Sequence, residues 1–160
     1  MRNRVLISLA LGTALTLAGG ASAQQPPGYG PDVTLDVAKK AAAAAEAEAG
    51  KNGWHMAIVV VTTAGELVHF SRMDDTQFGS TDVAIRKAKS AAAFRRPTKV
   101  FQDAVNASPP ALPILTLGAI AVEGGLPLIA NGKVVGAIGC SGGTAAEDGQ
   151  ACRAGAATMN

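Results

Sequence analysis

The dipeptide Asn131-Gly132, set between the apolar runs "LPLIA" and "KVVGAIGC", constrains this fold more than any other feature. A two-residue Asn-Gly link between β-type runs signals a tight hairpin, because both central residues must take positive φ. It predicts adjacent antiparallel strands over 126–130 and 133–140. A second hairpin is predicted upstream, where a β-branched run at 58–63 is followed by Ala64-Gly65 and a strand over 66–73. Alternation places Leu67, His69, Ser71 and Met73 on one face of that strand, and Val68, Phe70 and Arg72 on the other. The segment "GAIAVEGG" reads as a further short strand over 117–122.

Helices fill the intervals. "LDVAKKAAAAAEAEAGKNG" is dominated by Ala, Lys and Glu, all strong helix formers. Asp32 or Thr34 can cap it, and Gly50 or Gly53 can end it. A second helix is predicted over 81–95 behind a Ser80 or Thr81 cap, with Ala84, Ala88, Ala91 and Ala92 as its small-residue face. Pro97 stops it, and 98–107 can form a short helix. "SPPALPILTLG" is irregular. Thr144 and Glu147 form the Thr-x-x-Glu capping pattern at the head of a last helix. No internal repeat is present. The fold class is α+β, with a five-stranded antiparallel sheet flanked by helices.

Residues 1–23 read as a secretory signal peptide: Arg2 and Arg4, an apolar run of 16 residues, then Ala21-Ser22-Ala23 before Gln24. The run is short of the roughly 20 residues that span a bilayer, so no membrane span is expected after cleavage. Removing 23 of 160 residues leaves 137, which fits one domain over 34–160 behind a flexible Pro/Gly-rich leader, 24–33. Both signal arginines go with it, so 12 cations face 12 anions and the net charge is zero with neutral histidines. The precursor's pI near 8.7 is therefore no argument for nucleic-acid binding. Export implies a periplasmic or secreted location and an oxidising compartment. There Cys140 and Cys152 can form a disulfide, or remain two buried small residues.

Several motifs occur in one order: "RMDD" (72–75), "RKAKSAAAF" (86–94), "RPT" (96–98) and "EGGLPLIANGKVVGAIGCSGGTAAED" (123–148). The succession resembles the GlcG/HbpS family of haem-binding proteins, which includes the C-terminal domain of PduO-type proteins. The resemblance spans about residues 34–157 and is most specific in the last block. It implies a profilin-like fold, homo-oligomers, and binding of haem or a related tetrapyrrole, with haem buffering or degradation in exported members. The family's usual Arg-Met-Asp-Gly departs here at Asp75.

Other chemistries are poorly supported. Gly139-Cys140-Ser141-Gly142-Gly143 matches a nucleophile elbow, but no histidine follows residue 69. Neither phosphate-loop fingerprint is present. Without a C-x-x-C-H motif, any haem is held noncovalently. The candidate site lies at the hairpin end, with His69, Arg72, Met73 and Asp74. Lys87 and Thr98 border it from the basic segment, and Gly124, Gly125, Ser141 and Gly142 from the glycine turns. His69 is the candidate iron ligand, with His55, Met56 and Met73 as alternatives. Arg72 can pair with Asp74, Asp82, Glu123 or Asp148. Arg86, Lys87, Lys89, Arg95, Arg96 and Lys99 are six of the 12 cations within 14 residues. They form a propionate-binding rim, a subunit interface or a solvated helix face. Besides a tetrapyrrole binder, an accessory subunit of a periplasmic redox enzyme or a small-molecule sensor fits the sequence.

Overall fold

Strand β1, Ala57–Val61, is buried on both faces, as its unbroken β-branched run requires of a central strand. The computed structural model describes residues 25–159; the expected signal segment 1–23 lies outside them. The elements run α1 (Leu35–Lys51), β1, β2 (Leu67–Arg72), α2 (Gly79–Phe94), α3 (Lys99–Asn106), a 3-10 helix (Leu112–Leu117), β3 (Gly125–Ala130), β4 (Lys133–Ser141) and α4 (Ala145–Ala156). Thr34 caps α1, and Thr144 with Glu147 closes a full capping box on α4. No side chain caps α2, where Phe78 stands at the cap position.

The sheet has four strands, not five, in the order β2-β1-β4-β3, all antiparallel. The expected strand at 117–122 does not form. Leu117 ends the 3-10 helix, and Gly118 turns the chain at φ 74. The next amides bond to side chains: Ile120 N–H donates to Ser90 Oγ and Glu123 N–H to Gln102 Oε1. The Asn131-Gly132 hairpin forms as read, with φ of 50 and 72. In β2, His69 and Ser71 pair with Val60 and Ile58 and so share their face, as alternation predicts. A bulge at Val60/Val61 shifts Leu67 onto the opposite face, opposite Val61 and in line with Phe70.

Three layers result. Alternate residues Ile58 and Val60 meet α1 and α4, together with Ile138, Cys140 and Leu128. Ala57, Val59, Val61 and Ala137 meet the Ala84/Ala88/Ala91/Ala92 face of α2. The helix comes so close that a Cβ on Gly139 would overlap the Ala84 carbonyl. Among the described residues no helix is long and apolar enough to cross a membrane.

Residues 28–33 of the expected flexible leader run parallel to the start of β4. Gly30 N–H donates to the Val134 carbonyl, Val134 N–H to Gly28, and Val33 N–H to Val135. Asp32 does not cap α1; it accepts from Thr63 N–H (2.8 Å) and Oγ1 (2.6 Å) just past β1. The leader thus continues the lane that β1 leaves beside β4. Tyr29 OH donates to the carbonyls of Ala92 and Ala93, satisfying the open end of α2.

Candidate functional site

The residues singled out from the sequence fall into a buried group around the start of β3 and the end of β4, and a second group at the end of β2. β2 and β3 are three strand spacings apart, roughly 14 Å.

The first group is an internal node. Lys87 has no exposure; its Nζ donates to Asp148 Oδ2 (2.6 Å) and to the Cys140 carbonyl (3.1 Å). Asp148 Oδ1 accepts from Gly143 N–H (2.9 Å). Lys87 comes from α2 on one face and Asp148 from α4 on the other, and they meet around the start of β3. Gly124 makes the passage possible. At φ 118 it holds a conformation unfavourable to other residues, and a Cβ there would lie 2.7 Å from Asp148 Cβ and 2.8 Å from Lys87 Nζ. Burial pushes Lys87 below and Asp148 above their ordinary values, each opposed by the other's charge. Thr98 is also fully buried, exchanging two hydrogen bonds of 2.9 Å with Gly125. Ser141 pairs with Ala57, and Gly142 packs against the His55 carbonyl. Cys140 and Cys152 are joined by a disulfide, with Cα atoms 5.7 Å apart, tying β4 to α4. Lys87 and Thr98 therefore brace the layers and present no group to solvent.

The second group surrounds a hollow of about 400 Å³ lined by Glu46, His55, Arg72, Met73 and Asp74. His55 Nδ1 lies 2.8 Å from the Asp74 carbonyl, which only accepts, so Nδ1 carries the proton and Nε2 is left free. His69 does not line this hollow; it sits mid-strand opposite Val60. Arg72 takes none of the expected carboxylates. It donates to the Thr76 carbonyl and stacks 5.6 Å from the Phe78 ring, while Asp82 faces Arg86, Glu123 bonds Arg153 and Asp148 bonds Lys87. Asp75 takes φ 59, so the turn keeps the left-handed conformation that glycine would favour. Among the described residues no three His, Cys, Asp or Glu side chains gather as a metal site.

The basic segment is divided. Lys87 points inward, Lys99 pairs with Asp103 at 2.6 Å, and Arg86 faces Asp82 at 3.9 Å. Arg95 and Arg96 border a groove of about 550 Å³ whose walls include Pro97, Val100, Leu126 and Ile129. Arg95 ends α2 at φ 53, donates to the Pro27 carbonyl and lies 5.1 Å from the Tyr29 ring. The cations were visible in the sequence as a cluster, open to a rim, an interface or a solvated face. The apolar walls were not, because Leu126 and Ile129 read there only as strand residues. Half-exposed apolar side chains on an edge strand that also carries Pro127 are the signal that locates them. The groove pairs apolar walls with two cations, which fits the periphery of a tetrapyrrole. No histidine, cysteine or methionine lines it.

The protein-family model described as "Haem degrading protein HbpS-like" matches residues 33–157. Protein GlcG of Escherichia coli K12 is 38% identical over 102 residues, covering 62% of this chain and 73% of GlcG. The crystal structure of a doubly mutated Streptomyces reticuli HbpS superposes with a TM-score of 0.72 at 32% identity, over 94% of this chain and 99% of that one. A PduOC–haem complex has the same fold, with a TM-score of 0.72 at 23% identity over 81% and 96% of the two chains. With the family model spanning nearly all of the described domain, the chain belongs to the GlcG/HbpS family.

Proposed function

We propose that this protein is exported to the periplasm or beyond and binds haem or a related tetrapyrrole noncovalently, serving haem buffering or degradation. The observation that carries this reading is the groove beside α2 and β3. Its Pro97, Val100, Leu126 and Ile129 walls suit a planar apolar macrocycle, and Arg95 and Arg96 suit its carboxylates. The family's described haem chemistry supports it. Binding here is directed by the macrocycle and its carboxylates, since the groove supplies no iron ligand from His, Cys or Met.

Titration with hemin and with metal-free protoporphyrin tests this. Both should bind with affinities within a few-fold of each other, and Arg96→Glu should weaken both. A second reading places the iron on His55 Nε2 in the polar hollow, favoured by the tautomer that the Asp74 carbonyl selects. It predicts hemin binding that His55→Ala abolishes, and no uptake of the metal-free ring. Binding of neither ligand would sink both readings and leave the accessory-subunit or sensor role.

A further inference from the structure

Between the head of β3, the start of α3 and the middle of α4 lies a cavity of about 190 Å³, more enclosed than the groove beside it. Gly124, Gly125 and Gly149 hollow it out, and Pro97 and Leu126 give it an apolar wall. Its charged groups are Lys99, Glu123 and Arg153. At roughly 30 Å³ per water-sized group, it has room for a ligand of about six non-hydrogen atoms.

Glu123 is the unusual member of this lining. Its side chain is only 10% exposed, and its backbone N–H is held by Gln102 Oε1. The carboxylate has its seat because residue 149 is glycine: a Cβ there would overlap Glu123 Oε1. Glycine inside a helix is destabilising relative to alanine, so α4 gives up stability to make room for a charge. Oε1 accepts from Arg153 Nη1 at 2.7 Å, one turn along the same helix face. Oε2 accepts from no group among the described residues. Across the cavity, Lys99 Nζ pairs with Asp103 at 2.6 Å. Lys99 and Arg153 are each about half exposed and keep further N–H donors, three being available on an ammonium and five on a guanidinium. The rim thus presents one free carboxylate oxygen and two sets of free cationic donors, at no net charge over the two ion pairs.

We propose that this cavity binds a small α-amino acid as its zwitterion. The ammonium donates to Glu123 Oε2, the carboxylate accepts from Lys99 and Arg153, and a short side chain packs on Pro97 and Leu126. The charge pattern selects this class. A plain carboxylic acid would set its anion near Glu123 with nothing to offer Oε2, and a plain amine would face two cations. A molecule the size of alanine fills the volume. The cavity and the groove share Pro97 and Leu126 but no charged group, so this inference does not rest on the haem reading.

Isothermal titration of the purified protein with L-alanine, L-lactate and propionate tests it. The three share a carboxylate and a three-carbon frame, and only alanine carries the ammonium. Alanine should bind at least tenfold more tightly than lactate or propionate, the scale of one charge-assisted hydrogen bond. Glu123→Gln keeps the shape and an acceptor but removes the charge. It should weaken alanine at least tenfold and leave propionate unchanged or tighter, a selectivity that a merely structural loss would not produce. Lys99→Met alters an exposed side chain, so it keeps the test open should Glu123→Gln fail to fold; it should weaken alanine several-fold. No alanine binding at millimolar concentration, lactate or propionate bound as tightly as alanine, or alanine affinity unchanged in Lys99→Met overturns the proposal.

Discussion

Lys87 Nζ lies 2.6 Å from Asp148 Oδ2, with side-chain exposures of 1% and 4%, and the pair joins helices on opposite faces of the sheet. Removing one partner strands the other charge in the interior. Lys87→Met alone should cost about 3–5 kcal/mol, read by urea denaturation. Lys87→Met with Asp148→Leu should recover most of that loss. Both shifts disfavour the charged forms: Asp148's raised value lowers stability as pH rises through it, and Lys87's lowered value lowers stability as pH falls below 10.5. At neutral pH both act against the pair, so the apolar double variant should equal or exceed the parent. A double variant as unstable as the single one would refute this.

Gly124 and Gly79 form a contrast within one chain. Gly124→Ala meets both a φ of 118 and the Asp148 side chain, and should cost about 3 kcal/mol. Gly79→Ala, at the start of α2 with nothing within 4 Å, should stabilise by about 0.5–1 kcal/mol. Thermal melts of the two variants should therefore move in opposite directions.

The Cys140–Cys152 bond closes a short loop and is wholly buried. Replacing both cysteines by alanine should cost about 3 kcal/mol. Native protein should resist dithiothreitol until it unfolds, so the reduction rate should track the unfolding rate in urea. Rapid reduction without denaturant would show that α4 opens locally.

Asp32 is held below its usual value of 3.8, chiefly by the Thr63 hydroxyl and then by the Thr63 amide. A depressed carboxylate contributes stability above its unfolded value, and that contribution is lost as pH falls through its folded value. The melting-temperature gap between the parent and Asp32→Ala should therefore be constant from pH 7 to 5 and narrow below 3.8. A gap that persists unchanged to pH 2 would mean that the carboxylate's charge contributes nothing.

The regular elements were legible because local chemistry and global fold agree in them. Asn131-Gly132 supplies its own turn, and Thr144 with Glu147 its own cap. The absent strand at 117–122 shows where that agreement fails, since its Ile120 amide is claimed by Ser90, and the Glu123 amide just after it by Gln102, both from elements distant in sequence. The same limit governs the site. Lys87 read as one cation among six, yet only the three-dimensional position of Asp148 and Gly124 sends it inward. His69 sits mid-strand in β2, whereas Met73 lies just past the strand's end at Arg72. It is the loop at Asp74, invisible to periodicity, that brings His55 to Met73 instead.

The leader strand has a consequence for the order of events. Residues 28–33 complete the sheet only by lying against Val134 and Val135, about a hundred residues downstream. β1, too, waits for β4. A segment made early is among the last to find its place, so a ribosome-bound chain cannot close its own sheet until nearly all of it has emerged.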